Sequence, residues 1–165
     1  MDGENQNNPI PVGPEKIPDT LYKEIYQSVP IFCVDVIAVD GRERYLLTKR
    51  KNKPLKDTWG FPGGRVLKNE KVEDAAMRKL HEETGLVGKF IRQIGFYEFI
   101  DKEGSYENTS VHTPVVVCLV RVSGKEDVRL DNQSSEYVWR ENIDRDLHLH
   151  LREMLVRAGF KDSTR

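Results

Sequence analysis

Three glutamates, an arginine and two glycines are spaced along residues 63–86 so that they could hold a metal ion and a phosphate chain. Gly63 and Gly64 form a turn free of side chains, where backbone atoms can approach a ligand closely. Glu70 follows at the head of the next segment, and Arg78, Glu82 and Glu83 come within one predicted helix. Carboxylates are hard oxygen donors, so the set selects Mg²⁺ or Mn²⁺, and no cluster of Cys and His competes for zinc. Arg78 could clamp the loop through a carboxylate or touch a phosphate. A lone Glu-Glu pair is ordinarily a solvated helix face, so the chemistry rests on the whole spacing.

The elements that must position these residues follow from periodicity. Residues 71–84 suit a helix, with Val72, Ala75, Ala76 and Leu80 as its apolar stripe and Gly85 as a C-cap. Before it, Trp59, Gly60, Phe61, Pro62, Gly63 and Gly64 are too rich in glycine and proline for a regular strand and predict a tight, buried turn. Upstream, residues 31–39 and 45–49 read as a hairpin closed by Asp40 and Gly41. Downstream, residues 89–100 form a strand with Gly95 marking a bulge, and 101–108 a loop able to sit over a site. Residues 111–122 are the strongest strand, apolar enough to be buried on both faces. A short strand at 137–139 and an amphipathic helix at 147–158, stopped by Gly159, complete the body. A short helix over 21–28, capped by Asp19 or Thr20, precedes it, with Leu21, Tyr22, Ile25 and Tyr26 on one face. Strands on both sides of an internal helix, with a second helix at the end, predict an α/β/α sandwich with a mixed sheet. The expected layout is a loose arm over residues 1–18, one domain over 19–160 and a tail over 161–165.

Composition sets the bounds. The chain has 165 residues, 38% hydrophobic and 32% charged, with a formal net charge of -1. That predicts one domain with a real core and argues against bulk binding of a nucleic acid polymer, though not of a nucleotide. No apolar run approaches the roughly 20 residues needed to cross a bilayer. The N-terminus has neither the basic start nor the apolar stretch of a signal peptide. Cys33 and Cys118 lie within apolar strands and are expected to be reduced core residues of a cytoplasmic protein.

The full spacing is that of the Nudix box. Gly64, five residues, Glu70, seven residues, Arg78, then Leu80, Glu82, Glu83, Gly85 and Leu86 match it position by position. The resemblance implies the Nudix α/β/α fold, a loop-helix-loop that binds Mg²⁺ or Mn²⁺, and a substrate in which a nucleoside diphosphate is linked to another group. One position departs: where the family has a glutamate after the box arginine, this chain has Lys79. A lysine does not ligate a hard cation at neutral pH, and its charge opposes a second or third ion. The expectation is therefore a reduced metal set, one ion held by Glu83 and the backbone of Gly63 and Gly64, with Glu82 and Glu70 as further carboxylates.

From about residue 19 to about 157 the chain also resembles the GDP-mannose mannosyl hydrolase branch. Asp35, the run from Leu46 to Arg50, Asn52 and Pro54, Trp59, Phe61 to Arg65, His112, Val115 to Val117, Asn132, Gln133, Tyr137 and Trp139 carry the likeness. That branch also lacks the glutamate after the box arginine. The resemblance implies cleavage of the sugar's C1–O bond, with Asp35 on the sugar or base side, Arg50 and Arg65 on the diphosphate, Gln133 assisting Glu83 at the metal, and a homodimer. It fails at Ser134, where the branch has its general-base histidine. Glu136 or His112 could take that place; Glu82 is an additional catalytic carboxylate that the branch usually lacks, and Glu82 or Glu136 leaves room for cleavage between the phosphorus atoms instead. His112 is equally readable as structural. His148 and His150 read as surface or packing residues, Trp59 and Trp139 as core or cleft wall. Tyr97, Phe99 or Tyr106 could stack on a base.

Overall fold

The computed structural model describes residues 10–123 and 127–162. Its organising feature is a splayed hairpin. Strand β1 (Cys33–Val39) and strand β2 (Tyr45–Arg50) pair only at Val39 and Tyr45, beside the turn at Asp40. Beyond that point they diverge, so the expected hairpin is closed at one end only. The segment after β2 fills the wedge. Its two short strands, β3 (Trp59–Gly60) and β4 (Gly63–Arg65), pair with β2 and β1 respectively. The stretch expected to hold no strand thus contains two. Phe61 and Pro62, both buried, lie between them.

Glycine makes this possible at Gly63, which faces Asp35 across the β1–β4 pair. A Cβ there would collide with the Val34 carbonyl oxygen and the Asp35 carboxylate.

On its other side β1 runs parallel to β6 (Val111–Val122), which pairs antiparallel with the long edge strand β5 (Gly88–Asp101). Strand β7 (Ser134–Arg140) lies against β2. One parallel pair among antiparallel ones makes the sheet mixed. The β5–β6 register slips between Gln93 and Gly95, which is the bulge expected at the glycine, and again between Phe90 and Arg92.

Helix α2 (Val72–Thr84) covers one face of the sheet and α3 (Leu149–Ala158) the other. Alternation along the strands feeds two cores. Val34, Val36, Ala38, Cys118 and Val120 meet Ala75, Ala76 and Leu80 of α2. Ile37, Val39, Val115 and Val117 meet Leu151, Met154 and Leu155 of α3. Gly85 closes α2 in the left-handed region at φ 70°.

Helix α1 (Asp19–Ser28) begins two residues earlier than expected, and its N-cap is Pro18. Asp19 and Thr20 lie within its first turn and do not cap it. Residues 161 and 162, assigned from sequence to the tail, form β9 (Lys161–Asp162), which pairs with β8 (Asn142–Ile143). Residues 1–9 and 163–165 of the expected arm and tail, and 124–126 of the polar connection before β7, lie outside the described residues.

Candidate active site

The box segment is locked before it meets any ligand. Arg78 Nε donates to Glu70 Oε1 at 2.6 Å and its terminal nitrogen to Glu70 Oε2 at 2.8 Å. The same guanidinium reaches the Arg65 carbonyl oxygen at 3.1 Å and Glu82 Oε1 at 3.0 Å. Glu70 also accepts from the Leu67 amide at 2.9 Å. The Arg78 bonds hold the Glu70 carboxyl below its ordinary range. Glu70 is therefore a loop clamp, with both carboxylate oxygens turned to Arg78 and the Leu67 amide. Of the two roles open to Arg78, the structure shows the clamp.

Glu83 sits at the C-terminal end of α2, buried, and points at the glycine turn. Its Oε2 accepts from the Gly63 amide at 3.2 Å, and its Oε1 lies 3.0 Å from Lys79 Nζ. Burial pushes its carboxyl upward despite the lysine. Lys79 Nζ also lies 3.0 Å from Glu82 Oε2. Burial works against the charged amine, yet the two carboxylates hold the Lys79 pKa above its ordinary value. Burial likewise opposes ionisation of Glu82, but the bonds from Lys79 and Arg78 keep that carboxyl low.

A cavity of about 440 Å³ opens beside Glu83 on the α3 face of the sheet. This is within the range that holds a small-molecule ligand. Gly63, Gly64, Arg65 and Glu83 line it, together with Arg50, Gln133 and Ser134. Arg50 is re-aimed by the bulge at the Lys49–Arg50 step, where β2 meets β7, and its Nε donates to the Pro54 carbonyl oxygen at 2.9 Å. Arg65 is held by the Pro14 and Glu15 carbonyl oxygens at 3.2 and 3.0 Å, and its guanidinium lies 5.8 Å from the centre of the Tyr22 ring. Asp35 lies deep in the cavity and accepts from the Tyr97 hydroxyl at 2.6 Å. Burial pushes the Asp35 carboxyl up to about 6, with the Tyr97 bond opposing.

Three expected site residues are not in the cavity. His112 lies on β6 between Val111 and Thr113, which do line it, and strand alternation turns the imidazole away, 3.3 Å from Glu98 Oε1. Glu136 pairs with Lys49 across β2 and β7 at 2.9 Å. Ser134, in contrast, is buried at the wall. Glu82 does not line the cavity either; it holds Arg78 and Lys79 from behind the turn.

The imidazoles that do line the cavity are His148 and His150, the pair read from sequence as surface or packing. His148 is the N-cap of α3, and His150 follows in its first turn. The His150 ring stacks on Tyr97, with centres 4.9 Å apart and planes 15° from parallel, and lies 5.0 Å from the His148 ring. Burial and the neighbouring His150 hold the His148 pKa below its ordinary value. A helix N-terminus projecting two rings over a sheet was not readable from a sequence in which those histidines look like helix decoration.

Trp59, Tyr97 and Phe99 line the cavity, and Tyr106 does not; it packs edge-on against Tyr26 of α1. Trp139 belongs to the core on the α2 side. Cys33 is half-buried at the cavity wall and Cys118 is buried; neither forms a disulfide, and burial pushes the Cys33 thiol up to about 12.

A family model described as the NUDIX domain matches residues 30–153. Over 136 residues the chain is 30% identical to the low-salt glycan biosynthesis protein Agl8 of Haloferax volcanii, which covers 80% of this chain and 84% of that one. It is 42% identical over 87 residues to the ADP-ribose pyrophosphatase of Methanocaldococcus jannaschii, spanning 50% of this chain and 52% of that protein. Among solved structures, the MutT NUDIX hydrolase of Burkholderia pseudomallei superposes with a TM-score of 0.66 at 26% identity, over 80% of this chain and 100% of that one. The domain match covers the box, the locked loop and the cavity lining apart from Tyr22 and Tyr26 of α1, and the chain belongs to the Nudix family of hydrolases.

Proposed function

We propose that this Nudix hydrolase acts on a nucleoside diphosphate sugar of the GDP-mannose type and breaks the bond between the sugar carbon and the diphosphate. The observation that carries this is the cavity, whose lining combines Arg50 and Arg65, Glu83 at the Gly63–Gly64 turn, the Asp35 carboxylate beside Gly63, and the imidazoles of His148 and His150. The arginines and Glu83 suit a diphosphate with its ion, and the Asp35–Tyr97–His150 side suits a polar sugar next to it.

The donors suit one divalent ion. Glu83, the backbone oxygens of the Gly63–Gly64 turn and the Gln133 amide are hard donors at one corner. Among the described residues no three His, Cys, Asp or Glu side chains converge as a larger cluster would need. Bound there, Mg²⁺ or Mn²⁺ supplies positive charge to the departing diphosphate. Arg50 and Arg65 add to that charge and fix the phosphates. Asp35 orients the sugar through its hydroxyls. An imidazole of the His148–His150 pair takes the proton from water as its oxygen bonds to the sugar carbon, and the electron pair of the broken C–O bond leaves with the diphosphate. This gives the basic role left open at Ser134 to residues that face the cavity.

Hydrolysis in ¹⁸O-water followed by mass spectrometry tests the reading: label is expected in the released sugar. Label in a nucleotide phosphate would establish the second reading, cleavage between the phosphorus atoms. That reading is favoured by the likeness to an ADP-ribose pyrophosphatase and by the presence of Glu82. Under either, Glu83→Gln is expected to abolish metal-dependent turnover. A homodimer is part of the same proposal, supported by the exposed Ile91, Phe96 and Ile100 on the edge strand β5. A monomer in sedimentation equilibrium would remove it. Two unpaired thiols support a reducing, cytoplasmic setting.

A further inference from the structure

We infer that the Lys79 ammonium is a resident cation that takes the place of a second divalent ion, so that the protein binds one ion where its carboxylates would otherwise hold two. Lys79, Glu82 and Glu83 are three and four residues apart on α2 and share the face that meets the glycine turn. Lys79 Nζ lies 3.0 Å from Glu82 Oε2 and 3.0 Å from Glu83 Oε1, bridging the two carboxylates as a bound cation would. Its side chain is only 12% exposed. The stem is held as well: a Cβ built on Gly64 would come 2.7 Å from Lys79 Cε, so the turn closes directly over the lysine. An ammonium in that place neutralises both carboxylates, carries no lone pair for a metal and repels a cation arriving beside it.

This deepens the reading of Glu83 as the ion's ligand. Glu83 keeps Oε2 toward the turn, where it accepts from the Gly63 amide, while Oε1 belongs to the lysine. One ion can be accepted on the turn side, and the position behind it is filled from within the chain. Replacing the ammonium by a carboxylate would put three carboxylates on one helix face beside the Gly64 turn, a set of hard donors with no internal counter-charge.

Metal stoichiometry tests this without any substrate. Free Mn²⁺ is followed by electron paramagnetic resonance during titration of the full chain, for the native protein, Lys79→Glu and Lys79→Met, with circular dichroism confirming the fold of each. One Mn²⁺ per chain is expected in the native protein and two in Lys79→Glu. Lys79→Met, which removes the ammonium's repulsion of an arriving cation and frees both carboxylates without adding a ligand, is expected to bind Mn²⁺ severalfold more tightly than the native chain. Two ions in the native protein, or none, would overturn the inference. So would an unchanged stoichiometry in a folded Lys79→Glu together with unchanged affinity in Lys79→Met. The substrate reading fails separately: a chain that binds one Mn²⁺ but hydrolyses no nucleotide sugar keeps the resident cation and loses the proposed reaction.

Discussion

At the scale of single residues, two groups carry most of the site's energetics. Asp35 has a folded-state pKa near 6, raised by burial above its ordinary 3.8. The protonated form is therefore favoured by folding. The Asp35 contribution to stability is greatest below about pH 4, falls as pH rises toward about 6, and stays at the lower level above, by up to about 3 kcal/mol for such a shift. Asp35→Asn removes that loss. In EDTA, urea denaturation is expected to show the variant more stable than the native chain at pH 7 and the difference shrinking toward pH 4, while turnover falls. Arg78 is the second group. Its bonds to Glu70 and to the Arg65 carbonyl tie the loop before α2 to the helix itself. Arg78→Met leaves the nearly buried Glu70 carboxylate unpaired and is expected to cost about 2–4 kcal/mol in the same denaturation experiment. The pairing of Arg78 with a carboxylate was legible in the sequence as one of two roles. That it holds Glu70 as well as Glu82 was not, because Glu82 lies one turn along the helix while only the folded loop brings Glu70 alongside.

At the scale of elements, the site depends on one segment and one helix. The segment from Trp59 to Arg65 crosses from β2 to β1 through the wedge of the splayed hairpin, with almost no room at Gly63. Gly63→Ala is expected to push β4 off β1 and move the amide that faces Glu83. A displacement of this kind costs about 100-fold in turnover, and steady-state kinetics beside an unchanged far-ultraviolet spectrum would check it. Helix α2 was fully legible, since its apolar stripe, its length and its glycine stop all agreed. Leu80 lies at the centre of that stripe, fully buried. Leu80→Ala is expected to cost about 2–5 kcal/mol in thermal or chemical denaturation. The strands β3 and β4 were not legible, because two- and three-residue strands leave no periodicity and exist only by pairing with β2 and β1. Alternation decided the fate of His112. Its neighbours on β6 enter the cavity, and a residue one step along a strand faces the other way.

At the scale of the whole molecule, the segment before α1 is joined to the site. The Gly13 amide donates to the Lys68 carbonyl oxygen at 2.7 Å, and Asn69 Nδ2 donates to the Pro11 carbonyl oxygen at 2.7 Å. With the two carbonyls on Arg65, residues 11–15 run along the segment from Arg65 to Asn69 and fix a side chain proposed for the diphosphate. Removing residues 1–17 is expected to raise KM with a smaller change in kcat, since it loosens Arg65 without touching Glu83 or Asp35; unchanged KM would show that Arg65 holds its place unaided. By itself the sequence determined the family, the box helix and its carboxylates, the central strand and the mixed α/β/α architecture. Those depend on local spacing and on periodicity, which a chain carries wherever it folds. Only the tertiary structure decided which polar residues share the cavity. It brought His148 and His150 onto Tyr97, excluded His112 and Glu136, and seated Lys79 between Glu82 and Glu83. Such meetings depend on strand register, on the face a side chain takes and on the close approach of separate segments, and none of these leaves a pattern along the chain.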